Sequence, residues 1–124
     1  MNYFTIKSAV PAHDNVICLS GGLPGIKNKG QLESILEHIQ NDDYYPTFEE
    51  KLCHLVFSII KFHMFADGNK RTSIVLGTYF LNINFYGFYT DVFMEEMEDI
   101  VGKIADNQIS KEEYLEYLNH LLND

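Results

Sequence analysis

The sequence predicts an all-α fold, a compact helical domain of five to six helices around a buried central helix. Two observations carry that expectation. Phe48, Leu52, Leu55, Val56, Ile59 and Ile60 recur at the three- and four-residue spacing of one helix face. The stretch SIVLGTYFL at 73–81 is apolar on nearly every side, as a helix buried all round would be. Its Ile, Val, Tyr and Phe would also suit a buried strand, but no alternating segment flanks it as a partner.

Each element follows from local signals. Tyr3 to Ile6 reads as a short extended segment. Residues 12–19 suit a first helix with Pro11 at its start, because an interior proline removes a hydrogen bond and crowds the preceding turn. GGLPG at 21–25 breaks regular structure. Leu32, Ile35, Leu36 and Ile39 mark a helix from about Gly30 to Gln40. Asn41 to Thr47 (NDDYYPT) reads as an exposed loop with Tyr44 and Tyr45 at its centre. Thr47 can cap the strongly amphipathic helix that ends near Phe62, and Glu49 and Glu50 face the positive end of its dipole. After the 73–81 helix, Asn84 to Asp91 is a loop. Val92 to Ala105 is a helix whose broken stripe holds Val92, Phe93, Met97, Ile100, Val101 and Ile104. Ser110 and Glu113 fit a capping box that opens a last helix with Tyr114, Leu115, Leu118, Leu121 and Leu122.

The 124 residues fit a single domain over 1–124, with no internal repeat, low-complexity tract or linker. At 46% hydrophobic and 14% aromatic residues the chain should bury a core and stay ordered. Nine Lys plus Arg against 18 Asp plus Glu leave a net charge of −9, which opposes direct, sequence-independent nucleic-acid binding. Cys18 and Cys53, without a CxxC pairing, read as reduced thiols in or near the core. The start MNYFTIKSAV lacks the charged and apolar regions of a signal peptide. The apolar run from Ile74 to Leu81 is far short of the roughly 20 residues that span a bilayer. No membrane partner and a cytoplasmic location are therefore expected.

Chemistry concentrates in HMFADGNKR, residues 63–71, between two helices. Gly68 allows a tight turn with positive φ. The unpaired N–H groups that start the next helix, around Asn69 to Thr72, favour an anion, and Lys70 and Arg71 add charge there. Phosphate is the expected ligand. Asp67 would repel phosphate unless a cation lay between them, and Mg²⁺ typically takes one or two carboxylates plus phosphate oxygens. His63 can act as general base, its ordinary pKa of about 6.5 lying near working pH. Phe65 is expected to point inward and anchor the loop. Together these suit nucleotide-dependent transfer onto a protein hydroxyl. Taken one at a time, the same residues have plainer readings. His63 alone suits a helix-end cap or packed histidine, Asp67-Gly68 a turn, Asn69 a helix cap, and Lys70-Arg71 surface charge.

The string resembles the signature of the Fic/Doc (Fido) family. The Fic branch reads H-x-F-x-D/E-G-N-G-R and the death-on-curing (Doc) branch approximately H-x-F-x-D-A-N-K-R. His63, Phe65, Asp67, Asn69 and Arg71 fit both, Lys70 fits the Doc form, and Gly68 fits the Fic form. GGLPGIKNKGQLESIL, FEEKLCHLVFSIIKFH and KRTSIVLGTYFLNIN are similar to the flanking segments of death-on-curing proteins, so the likeness runs over about residues 13–90.

The resemblance implies an all-α Fic/Doc fold and ATP and Mg²⁺ as cofactors. It casts His63 as catalytic base and Asp67 as metal ligand. Gly68, Asn69, Lys70 and Arg71 would bind the phosphates. Fic enzymes transfer AMP, whereas Doc toxins pass the terminal phosphate of ATP to elongation factor Tu and so stop translation. The lysine would fill the space where the Fic glycine admits the α-phosphate, which favours a phosphotransferase toxin. An AMP transferase and a catalytically idle binding module remain the alternatives. No inhibitory [S/T]-x-x-x-E-[G/N] string occurs, so the resemblance implies a separate Phd-like antitoxin as partner, in a type II toxin–antitoxin system. It also casts Tyr44 and Tyr45 as a clamp on the target segment, against the plainer reading that they pack over the domain edge.

Overall fold

The computed structural model describes residues 1–123. Six α-helices follow one another: α1 (Ile6–Ser20), α2 (Lys29–His38), α3 (Phe48–Lys61), α4 (Asn69–Ile83), α5 (Thr90–Ala105) and α6 (Lys111–Leu122), with a 3₁₀ turn at Gly87–Tyr89 before α5. No strand occurs among the described residues; extended pairing is confined to an isolated bridge between Ile26 and Phe65. The all-α expectation holds.

The α3 and α4 helices share the most extensive interface, and α5 and α6 close over them. Leu52, Leu55, Val56 and Ile59 of α3 are fully buried, as is Phe80 of α4, and they meet Phe93, Met97, Tyr114 and Leu118 from the last two helices. A Cβ at Gly77 would lie 2.8 Å from the Phe93 ring, so the small residue sets how closely α4 and α5 approach. Local signals set several ends. The Thr47 hydroxyl accepts the Glu50 N–H at the start of α3, and Ser110 and Glu113 cap α6 reciprocally.

Four expectations need correction. Tyr3 to Ile6 is no strand: Thr5 caps α1, and Asn84 fixes the chain ahead of it by exchanging hydrogen bonds with the Asn2 backbone (2.7 and 3.0 Å). The first helix therefore starts earlier than residue 12 and contains Pro11. Pro11 is on the solvent side of α1, as is Lys7, whose carbonyl loses its helical partner where water can replace it. The α4 helix is buried on one broad face only, since Val75 and Tyr79 are 39% and 41% exposed. Apolar content misleads there because no helix covers that side. Of the two cysteines, Cys53 is buried but Cys18 is exposed. No helix among the described residues is long and apolar enough to cross a membrane.

Candidate functional site

The last turn of α3 delivers the chain into the 63–71 segment. Phe62 still bonds back to the Ser58 carbonyl (2.9 Å), and His63 then turns left-handed with φ 47°. That conformation costs a non-glycine residue about 1–2 kcal/mol, and such strain persists where the surroundings enforce it. Here they do. Met64 and Phe65 are fully buried on either side of the backbone path. The Met64 carbonyl accepts the Lys27 and Asn28 N–H groups (2.9 and 3.0 Å), and the Ala66 N–H donates to Gly25 (3.1 Å). The Asn28 amide donates to the carbonyls of Phe62 and His63. The GGLPG region is thus the support on which the motif lies.

Gly68 has φ 73° and ψ 21°, the left-handed turn expected of it, and precedes α4 directly. Asn69 does not cap that helix. Its side chain reaches back to Phe65, accepting the N–H at 2.9 Å and donating to the carbonyl at 3.0 Å, so both ends of the amide are used in closing the loop. Its backbone N–H, with those of Lys70 and Arg71, belongs to the first helical turn and has no intrahelical acceptor. Lys70 and Arg71 are exposed, and neither pairs with a carboxylate among the described residues. Asp67 accepts the Gly68 N–H on Oδ1 (2.9 Å) and the Leu23 N–H on Oδ2 (3.3 Å). Each oxygen keeps lone pairs for a cation. No cluster of three or more His, Cys, Asp or Glu that could hold a metal ion stands together among the described residues.

His63, Asp67, Gly68, Asn69, Lys70 and Arg71 all line one cavity of about 570 Å³, within the size range of small-ligand sites. Its remaining walls are Ile60, Ala66 and Ile74, with Glu98, Val101, Gly102 and Ala105 of α5. Tyr44 and Tyr45 are elsewhere. They border a separate hollow with Glu50, Cys53 and Lys111 at the other end of α3, and 14 residues at 1.5 Å rise put roughly 20 Å between the two. Tyr45 stacks on His54 (centroids 4.5 Å apart) and Tyr44 is 76% exposed. Edge packing describes Tyr45, and neither ring reaches the motif.

Sequence reasoning missed four participants. His13 of α1 is 1% exposed, lies flat against Phe65 (4.0 Å, 9° between planes) and contacts the Asp67 carbonyl at 2.7 Å. Gly22 has φ 120°, and a Cβ there would come within 2.8 Å of Asp67 Oδ2. Leu23 supplies the N–H to that oxygen, and Glu98 faces the cavity from α5. No local pattern points to these contacts, which span tens of residues. Only the density of glycine at 21–25 hinted that the backbone passes close to something.

A model of the Fic/DOC family matches residues 3–81. The chain belongs to the Fic/Doc family. Among similar proteins, the protein kinase doc of Escherichia phage P1 is 27% identical over 125 residues, covering 98% of this chain and 96% of that protein. The Toxin Doc of Mycolicibacterium smegmatis is 29% identical over 89 residues, 68% of each chain. The Fic/Doc match takes in the whole 63–71 segment and both α1 and the GGLPG support.

Proposed function

We propose that this chain is a toxin with ATP-dependent phosphotransferase activity, passing the γ-phosphate to a hydroxyl of a translation factor, with elongation factor Tu as the expected target. The observation that carries it is the shared cavity. The His63 imidazole, the Asp67 carboxylate, two uncommitted cations and the first-turn amides of α4 meet there, with a second carboxylate, Glu98, on the α5 wall, and these are groups that hydroxyl-to-phosphate transfer can use. The names and spans of the two relatives support the same reading. A Phd-like antitoxin is the expected partner, and the single domain acts in the cytoplasm.

His63 takes the proton of the target hydroxyl as its oxygen bonds to the γ-phosphorus. The bond from that phosphorus to the β,γ-bridging oxygen breaks, and ADP leaves. Lys70, Arg71 and the first-turn amides hold the phosphate oxygens. Asp67 would hold Mg²⁺, which when bound would supply positive charge to offset that of the phosphates. Asn69 acts through its backbone, because its side chain keeps the loop closed.

ATP labelled on the α- or γ-phosphate, incubated with the chain and elongation factor Tu or a cell extract, tests this directly. Transfer of γ-label is expected. His63→Ala should lower it by about 10² to 10⁴ without unfolding the chain, since the replaced side chain is exposed. Lys70→Gly should also lower it sharply by opening volume where the Fic branch carries glycine. Transfer of α-label by the unmodified chain would instead identify an AMP transferase, the reading that Gly68 favours. No label on any protein would leave a binding module.

A further inference from the structure

We propose that His13 is a positioning residue that sets the orientation of the Asp67–Gly68 peptide and, through it, of the Asp67 carboxylate. The proposal rests on the phosphotransfer reading for its functional consequence, and on geometry alone for the positioning. A carbonyl oxygen only accepts, so at 2.7 Å the His13 Nε2 carries the proton and donates it to Asp67. The contact joins residues 54 apart, from a ring that is 1% exposed to a loop residue that is exposed.

A trans peptide holds its C=O and N–H on opposite sides. With the Asp67 carbonyl drawn to α1, the Gly68 N–H must face away from α1. It meets Asp67 Oδ1 there at 2.9 Å, while Leu23 takes Oδ2. One donated hydrogen bond therefore fixes the peptide plane, and that plane fixes the carboxylate. Without the bond, Gly68 gives the peptide freedom to turn, because its left-handed φ carries no Cβ penalty. A turned peptide would present a carbonyl oxygen where the cavity is to receive phosphate. Packing alone would not call for histidine at this place: the face-to-face contact with Phe65 could be made by a second phenylalanine.

Two variants separate the ring from its donor. His13→Phe keeps the stacking surface and deletes the N–H. His13→Gln loses the stack but carries an amide N–H the same number of bonds from the backbone. The readouts are amide hydrogen exchange of the ligand-free chain, and ATP affinity with and without Mg²⁺. For His13→Phe, faster exchange at Gly68 is expected while α3 and α4 stay protected, together with about tenfold weaker ATP binding confined to the Mg²⁺ condition. His13→Gln should restore most of both. Unchanged Gly68 exchange and unchanged affinity in His13→Phe would overturn the proposal. So would equal loss in both variants, which would mark His13 as a packing residue. Faster Gly68 exchange in His13→Phe, with an unmodified chain that binds no ATP, would uphold the positioning and overturn the phosphotransfer reading.

Discussion

The two ends of α3 carry similar residue types and use them in opposite ways. At the N-terminal end, Lys51 is 1% exposed, with its ammonium on the Ile39 carbonyl (2.6 Å) and Asp42 (2.7 Å). Burial works against that charge, but the Asp42 hydrogen bond and carboxylate, with the nearby Tyr3, outweigh it and hold the Lys51 pKa above the usual lysine value. His54 stacks on Tyr45 and accepts from the Lys111 ammonium at 2.9 Å. Side chains there are consumed by the fold. At the C-terminal end the backbone is consumed instead, by Gly25, Lys27 and Asn28, and the side chains of His63, Lys70 and Arg71 are left open to the cavity. A lysine or histidine marks a site when its backbone is held and its side chain is not.

The largest expected effect comes from exchanging these roles. Lys51→Ala removes a buried stem and leaves the Ile39 carbonyl without its donor, which should cost about 2–4 kcal/mol in denaturant unfolding. Label transfer per folded molecule should be unchanged. If transfer fell with Lys51 while stability held, the division between the two ends would fail.

Gly22→Ala works in the other direction. A φ of 120° and a Cβ 2.8 Å from Asp67 Oδ2 should cost about 1–2 kcal/mol and displace the carboxylate. ATP affinity measured with Mg²⁺ should fall more than affinity without it. Equal affinities would show that the GGLPG region supports the loop without setting Asp67.

The His54 end should also appear in the pH dependence of stability. Burial first, then the Lys111 and His38 charges, depress its pKa from 6.5 to about 4. Between those values the unfolded chain binds a proton that the folded chain refuses. Stability contributed by neutral His54 is therefore full above pH 6.5 and is lost as the pH falls towards 4. His54→Phe keeps the stack and removes the titration, so its melting temperature should drop less between pH 7 and pH 4.5 than that of the unmodified chain. An identical drop would move the acid sensitivity to the carboxylates.

The smallest effect concerns Thr72, just beyond the cations. Its side chain is fully buried, and Oγ1 has no hydrogen-bond partner among the described residues, yet it does not line the cavity. Thr72→Val should gain up to about 1 kcal/mol in thermal unfolding by sparing that hydroxyl its desolvation, with transfer unaltered. Lost transfer would bring Thr72 into the site.

Helices whose signals are local were legible in the sequence. The spacing of Leu52, Leu55, Val56 and Ile59, the Thr47 cap and the Ser110–Glu113 box placed α3 and α6 closely. Gly68 showed the turn for the same reason, since only its own φ matters there. What depends on a distant neighbour was hidden. Lys51 in the core needs Asp42 and Ile39 beside it, and the exposure of Val75 and Tyr79 reflects where no helix packs. Tyr44 and Tyr45 are close to the motif in sequence but a helix length from it in space. Within the site, the residues of the 63–71 string that line the cavity lie close together in sequence, while His13, Gly22, Leu23 and Glu98 reach it only through tertiary contacts.

The docking of the GGLPG region on the motif also bears on when the molecule can act. Residues 13–28 leave the ribosome before their partners at 62–69, which follow only after α2 and α3 have been made. The cavity gains its far wall with α5, and α3 gains its cover with α6. Assembly of the cavity thus waits for α5. For a chain whose proposed target is the translation machinery, that order delays its activity until α5 has been made and has packed over the motif.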